Sequence, residues 1–451
     1  MRFRSKALNA VLFGSSFVVS AGAQNTAPAP RHITLPEAVQ LALKNNHVVR
    51  IAGLKVDEKQ DAKEIARSAY LPSIRNESRV MRVTDTQFIE IARGSLGTIA
   101  GTPVPDTSDV VSQGGRTFVT SGTGLVQPLS QLFTRIRPEN EAAQADLNAS
   151  RADAQETQNE VALKVHQIYY QMLIAQLRGN AAAAKIRADQ DIESERIQQV
   201  KYGSALDQQL IESRAQLLQA KQDLLTTELQ ISDLTMQLDD VMGLAITIQL
   251  TLDPEVPAAQ ETCHREECVQ IARASHPEVV AARAEVEKAS AGVRLAKADY
   301  LPDVSAFARY SYQNNVPFLA RNFGTFGAEL TYDLFDGGRR RAAVGESGAK
   351  LAQARENLAR VADDVELRVE TALNKLDRTK EMVNVSEQLL ALRTESSRVT
   401  VQQVLRGEAL QSQADTGVAQ ELDAKTMLLA AQLDYVQAHD ELLEAMGMSP
   451  Q

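Results

Sequence analysis

The chain is written twice. Residues 38–72 align with residues 268–302 at a constant offset of 230, without a gap. Identities fall at Val39/Val269, Gln40/Gln270, Ala42/Ala272, Val49/Val279, Ala52/Ala282, Val56/Val286 and Ala66/Ala296, and both stretches close on Tyr-Leu-Pro. A second block repeats at an offset of 204. Gly203-Ser204-Ala205-Leu206 meets Gly407-Glu408-Ala409-Leu410, Ala220-Lys221 meets Ala424-Lys425, and Met242-Gly243 meets Met446-Gly447. The smaller offset gives the first copy about 26 extra residues, placed between 72 and 139. A repeat at this scale fixes the plan: one structural unit, made twice.

Proline then divides each copy. None occurs from Glu139 to Asp253 or from Phe318 to Ser449, whereas Pro36, Pro72, Pro128, Pro138, Pro277 and Pro302 sit at junctions. Proline inside a helix costs about 3 kcal/mol, so the proline-free stretches are where helix can run. Their apolar period agrees. Leu210, Leu217, Leu224, Ile231 and Leu238 recur every seven residues, and Leu351, Ala354, Leu358, Val361, Val365, Val369, Ala372 and Leu376 step by three and four. That spacing is a coiled-coil seam. Gly203 and Gly407 interrupt these stretches at the same place in each copy and predict hairpin tips.

Between the helical stretches lie alternating segments. Phe326, Ala328, Leu330, Tyr332 and Leu334 alternate with Thr325, Gly327, Glu329, Thr331 and Asp333. Val304, Ala306, Ala308, Tyr310 and Tyr312 alternate with Ser305, Arg309 and Ser311, Phe307 being the exception. In the first copy, Thr117, Ser121, Thr123 and Gln127 are expected on a polar face, although Val119 and Leu125 share it. Residues 73–91 carry Arg75, Glu77, Arg79 and Arg82 and form the most charged candidate strand. Runs of about ten residues with one apolar face suit tilted membrane-spanning strands. Residues 24–260 form repeat one: short helices in 35–70, strands at about 73–91 and 117–131, a helix hairpin over 139–243 and a linker over 244–260. Residues 261–451 form repeat two: short helices in 265–300, strands at about 303–313 and 323–335, and a hairpin over 340–446. The extra length of copy one, in Gly-rich residues 92–116, reads as a long external loop.

Four strands per chain cannot stand alone in lipid. An open edge leaves N–H and C=O groups unsatisfied at several kcal/mol each, and closure takes at least about eight strands. Several chains must therefore share one barrel. The fold class is accordingly an α+β membrane protein: two repeats, long antiparallel coiled-coil helices forming an α-barrel, and four strands contributed to an oligomeric transmembrane β-barrel.

The first residues fix the compartment. Arg2, Arg4 and Lys6 precede an apolar run from Ala7 to Val19 that ends in Ala21-Gly22-Ala23, so residues 1–23 read as a secretory signal peptide. Gln24 would begin the mature chain, which offers no Cys there for a lipid. Removing three positive and no negative charges moves the net charge from −10 to −13. That acidity argues against nucleic acid as a partner. Cys263 and Cys268 flank His264-Arg265-Glu266-Glu267, a spacing open to a local disulfide, to two thiols, or less readily to a metal held with His264. No metal, cofactor or catalytic group is expected. The six His residues contain no His-x-x-x-His pair, and Gly345-Glu346-Ser347-Gly348 lacks the spacing of a nucleophile elbow.

The chain resembles the TolC-like outer-membrane efflux proteins over nearly its whole mature length. The likeness rests on Ile33-Thr34-Leu35-Pro36-Glu37-Ala38, on Tyr-Leu-Pro at both helix-to-strand junctions, and on Leu334-Phe335-Asp336-Gly337-Gly338 as the strand-to-helix turn. The resemblance implies a homotrimer in outer-membrane lipid with twelve strands, a helical barrel in the periplasm, a periplasmic adaptor protein and an inner-membrane transporter. It places Gly203, Leu206, Asp207, Gly407, Leu410 and Asp415 at the hairpin tips, where family members close the channel and meet the adaptor. Asp336, Gly337 and Gly338 would form the strand–helix turn, and Tyr70, Pro72, Tyr300 and Pro302 the helix–strand junctions. The position matching Asp207 in copy two is Gln411, which departs from the acidic pattern of relatives, with Asp415 one turn further on as a substitute. A periplasmic coiled-coil scaffold or adaptor is the competing reading. It accounts for the helices and the export signal but not for the paired strand segments.

Overall fold

The computed structural model describes residues 31–85, 88–112, 115–246, 250–253, 263–314 and 320–450. The signal-peptide expectation, residues 1–23, lies outside the described residues, as does most of the 244–260 linker.

β1 (Arg31–Ile33) leads into α1 (Leu35–Asn45) and α2 (His47–Ser68). β2 (Ser73–Arg82) is followed by an excursion holding β3 (Phe88–Ile91), β4 (Thr98–Ile99), β5 (Thr102–Pro103) and β6 (Asp109–Ser112). β7 (Thr117–Pro128) returns the chain through α3 (Gln131–Thr134) to the hairpin of α4 (Ile136–Lys201) and α5 (Asp207–Val241). β8 (Leu250–Leu252) lies in the linker, and the second repeat follows with α6 (Arg265–Ser275), α7 (Pro277–Ala298), β9 (Asp303–Asn314), β10 (Asn322–Thr331), α8 (Arg339–Leu405) and α9 (Gln411–Ala445). At 1.5 Å per residue, the 66-residue α4 is about 100 Å long.

Local chemistry sets these boundaries, often twice over. Thr34 and Glu37 make a capping box at the start of α1, with Pro36 in the first turn where no N–H is needed. Asn46 ends α1 and begins α2, its side chain accepting from the Val48 N–H at 2.8 Å. His276, 230 positions on, does the same between α6 and α7, its Nδ1 accepting from the Glu278 N–H at 3.2 Å. The hairpins close on these junctions. Gly243, at φ +66°, presses on Asn45, and Gly447, at φ +79°, presses on His276 and Pro277 so closely that a Cβ there would sit 2.6 Å from Pro277 Cδ. Only glycine fits both the conformation and the space.

Two apolar clusters follow the repeat. One gathers Val165, Tyr169, Tyr170, Leu238 and Met242 with α1 residues and Leu433. The other gathers Val365, Val369, Leu373, Leu442 and Met446 with Cys268. Cys263 and Cys268 are joined in a disulfide, one of the alternatives their spacing left open. Among the described residues no group of His, Cys, Asp and Glu is placed to hold a metal.

Several expected boundaries need correction. The segment 73–91 is not one strand. Only Ser73–Arg82 joins the main sheet, because Phe88–Ile91 finds its ladder partner, Asp109–Ser112, inside the loop. The 117–131 strand stops at Pro128, beyond which Leu129 and Ser130 donate their N–H groups to the Val304 carbonyl and Gln131 begins a helical turn. The 323–335 strand stops at Thr331, because Asp333 and Asp336 are taken up in the turn into α8. The first hairpin begins at Ile136, with Pro138 tolerated in its first turn. The linker is not featureless: β8 pairs in parallel with β1, Ile33 opposite Leu252.

Candidate functional site

The main sheet has the order β10-β9-β7-β2, all antiparallel, and its register sorts the side chains into two faces. One face carries Leu330, Ala328 and Phe326 of β10, and Val304, Ala306, Ala308, Tyr310 and Tyr312 of β9. It also carries Leu125 and Val119 of β7, and Ile74 and Val80 of β2. The other carries Thr325, Gly327 and Glu329, then Phe307, Arg309 and Ser311. Gly122, Gly124, Arg75, Glu77 and Arg79 complete it. This second face is concave, enclosing a hollow of about 680 Å³ lined by Arg75, Glu77, Gly122, Gly124, Arg309 and Glu329.

The register overturns one sequence expectation. Ser121, Thr123 and Gln127 lie on the apolar face, opposite Tyr312, Tyr310 and Ala306, and not on the charged one. Their polarity is satisfied locally. Asn76 donates to Thr123 Oγ1 at 2.8 Å and to Ser121 Oγ at 3.3 Å, and Ser78 and Ser121 share a 2.9 Å hydroxyl contact. These groups share register rows with Tyr310 and Tyr312, toward the end of the sheet away from the helices. At the opposite rim Phe133, Leu334 and Phe335 stand more than four-fifths exposed.

The strand–helix turn is built by Asp336. Its carboxylate accepts from the N–H groups of Gly338 at 3.0 Å and Arg340 at 2.9 Å, while Gly337 and Gly338 take φ of +66° and +90°. The Arg340 N–H bond is the chief reason the Asp336 carboxyl is held below its ordinary range. Arg340 donates to the Asp333 carbonyl at 2.8 Å and stacks 5.0 Å from the Tyr332 ring centroid. In copy one the equivalent turn has no Gly pair and is tied across to the second repeat, where Ser130 Oγ accepts from the Val304 N–H at 2.8 Å and Arg135 pairs with Asp299. Tyr70 and Tyr300 follow the ends of α2 and α7, and Pro72 and Pro302 immediately precede β2 and β9.

The two tips share one geometry. Gly203 and Gly407 adopt φ of +72° and +75°, and the next residue's N–H reaches back five positions, Ser204 to Gln199 and Glu408 to Gln403, at 2.8 and 2.9 Å. This is the glycine helix stop in both copies. Leu206 and Leu410 then cap the returning helices, exposed, and Asp207 is the first residue of α5. Asp415 is not free at its tip. It accepts from the Gln411 amide at 3.1 Å and faces Asp191 of the other hairpin. Desolvation first and the Asp415 charge second push the Asp191 carboxyl up. Glu195 completes this tie by accepting from the Ser412 N–H at 3.1 Å and from its hydroxyl, supplying an acceptor to the open N-terminus of α9. The structure therefore brings Asp415 together with Asp191 and Glu195, and leaves Asp207 apart. Asp191, Glu195 and Ser412 are absent from the tip residues expected above, because their meeting depends on how the hairpins cross.

The hairpins meet along α4 and α9, with α7 seated between α4 and α8. Deep in this seam the Asp440 carboxylate contacts His166 Nδ1 at 2.7 Å and accepts from the Tyr170 hydroxyl at 3.2 Å. Burial pushes Asp440 up, and the hydrogen bonds from His166 and His439 more than offset it, so the carboxyl stays below its ordinary range. Nearby, the buried Glu156 Oε2 has no hydrogen-bond partner among the described residues. Desolvation, with the Glu444 and Glu278 charges adding to it, pushes Glu156 to about 7.

Comparison with known proteins places this architecture. Residues 268–448 match the family model described as Outer membrane efflux protein. The outer membrane efflux protein BepC of Brucella suis is 24% identical over 445 residues, covering 95% of this chain and 87% of its own. Among solved structures, the CmeC outer membrane channel of Campylobacter jejuni superposes with a TM-score of 0.74 at 16% identity, covering 92% of this chain and 85% of that one. The open-state MtrE outer membrane channel of Neisseria gonorrhoeae gives 0.73 at 16%, covering 92% and 89%. The second repeat thus matches the family model Outer membrane efflux protein, and the whole chain has the fold of the solved outer membrane channels.

Proposed function

We propose that this chain is one subunit of a trimeric tunnel that carries substrate from an inner-membrane transporter, through a periplasmic adaptor, across the outer membrane. One observation carries the reading: the seam that joins the repeats inside the chain has an unfilled counterpart on the chain's outer faces. Val385 and Leu392 of α8 stand 65% and 71% exposed, while the residues matching them at the 204 offset, Ala181 and Ala188 of α4, are buried. α2 buries none of its residues, whereas α7, its counterpart, is held between two long helices. A copy of the chain placed as repeat two is placed on repeat one would cover both faces and would pair the free edges of β2 and β10.

Three copies supply twelve strands, enough for a closed barrel in lipid. The concave charged face then lines the lumen and the apolar face meets lipid. The hairpin tips carrying Gly203, Leu206, Asp207, Gly407, Leu410 and Asp415 project furthest from the membrane, where an adaptor can reach them.

Membrane fractionation tests the proposal. The expected result is a heat-modifiable oligomer in the outer-membrane fraction that opens ion-conducting pores in planar bilayers. Recovery as soluble periplasmic monomer, with no pore activity, would favour the scaffold reading instead.

A further inference from the structure

The concave face of the sheet carries a charge pattern that the rest of this acidic chain does not prepare for. One register row crosses all four strands as Thr325, Arg309, Gly124 and Arg75. Two arginines thus flank a residue with no side chain, and nothing lies within 4 Å of where a Gly124 Cβ would be. The Arg309 guanidinium is laid over the neighbouring Gly122. A Cβ on Gly122 would sit 2.7 Å from Nη2 and 2.8 Å from Nε, so glycine is what lets the guanidinium lie against the strand. Among the described residues Arg309 has no ion pair. Arg75 has only an exposed 3.9 Å contact to Glu77, which adds little. Arg79 adds a third positive charge toward the outer end, and Glu77, Glu329 and, at the end nearer the helices, Asp303 are the acids sharing the face with this row.

We propose that this arginine–glycine–arginine row is a lumenal binding station for anionic solutes, holding carboxylate, sulfonate or phosphate groups in transit. The inference rests on the channel reading above and specifies the substrate class favoured by that channel's outer segment. A guanidinium fork presents paired donors that match planar or tetrahedral oxyanions, and it stays charged at every physiological pH. The open floor at Gly124 leaves room for the anion between the two forks. Low-dielectric walls focus the field of such charges along the pore. Asp191, Glu195 and Asp415 sit at the other end of the molecule, so the path runs from an acidic tip cluster to this arginine row.

The test uses the full chain reconstituted in planar bilayers, with tripolyphosphate added on the extracellular side. Wild type should show concentration-dependent block. Arg309→Gln and Arg75→Gln should each raise the half-blocking concentration by roughly tenfold while leaving a conducting pore, as loss of a charge-assisted fork predicts. Arg82→Gln, on the lipid-side face, should block like wild type. In a salt gradient the reversal potential of Arg309→Gln should shift toward cation preference. Equal block in wild type and in both lumenal variants, or no block of a conducting wild-type pore, overturns the inference and leaves the channel reading standing. Failure of the wild type to conduct at all rejects the channel reading, and this inference with it.

Discussion

Leu433 and Leu229 hold the same place in the two repeats and meet opposite fates. Leu433 on α9 is 1% exposed against the other hairpin, and Leu229 on α5 is 63% exposed. Ala284 and Leu54 repeat the contrast on the short helices, at 4% and 65%. Both seams are apolar by sequence, yet only the one inside the chain is closed. On the assembly proposed above, these exposed apolar positions are where the next copy binds. On that proposal, the closed seam inside the chain is the template for the contact between copies.

The comparison can be broken most forcefully at these leucines. Leu433→Arg should prevent folding, since removing a buried leucine alone costs about 2–5 kcal/mol and an unpaired charge adds to that. Leu229→Arg should leave the monomer's thermal melt within about 0.5 kcal/mol of wild type and abolish the oligomer. Melting curves beside sizing in detergent check both; equal behaviour of the two variants contradicts the account.

A smaller effect belongs to the buried network. Asp440→Ala strands His166 and Tyr170 in the closed seam and should cost about 3–5 kcal/mol in chemical denaturation. Its counterpart on the open seam is Met236, and Met236→Ala should scarcely move the monomer.

Smaller again is a pH effect confined to the closed seam. Glu156 sits among Glu160, Glu278, Glu444 and Arg368, with its folded value raised to about 7. Because the folded state binds the proton more tightly than the unfolded state, stability falls as pH rises from about 4.5 to 7. Glu156→Gln should match wild type near pH 4 and exceed it near pH 8 by on the order of 1–2 kcal/mol, allowing for screening of a half-buried group. The matching residue in copy two, Arg360, is paired with Asp364 at the surface, and its removal should leave the pH profile unchanged. A flat profile in wild type sinks this assignment.

The tips give the finest contrast. Asp207 in copy one has Gln411 as its sequence equivalent in copy two, and Asp415 is already engaged by Gln411 and Asp191. If Asp207 helps constrict the entrance, Asp207→Ala raises single-channel conductance modestly. Unchanged conductance and cation selectivity reject that role.

How much of this was legible depended on whether a feature was local. The helix stops at Gly203 and Gly407 and the seams ending in Leu238 and Leu376 follow from glycine and a heptad-like period, whereas the caps at Asn46 and His276 that split the short-helix blocks emerge only in the structure. The sheet faces did not follow as well. β7 alternates between Val119, Ser121, Thr123 and Leu125 on one side and Phe118, Thr120 and Gly122 on the other, so its own pattern names no lipid face. Only pairing with β9 assigns it. β1 and β8 are too short to carry a period, and the Asp191–Asp415 and Glu156 clusters arise where helices distant in sequence cross.

The most direct test of the closing seam uses its inner contact as a ruler. Glu195 touches Ser412 across the closed seam, and the matching positions on the open faces are Val399 and Gln208. A Gln208→Cys/Val399→Cys double variant treated with a short bifunctional thiol cross-linker should give a covalent trimer, with each single variant remaining monomeric. A doubly substituted chain that stays monomeric while assembled in the outer membrane would contradict the claim that copies meet as the repeats do.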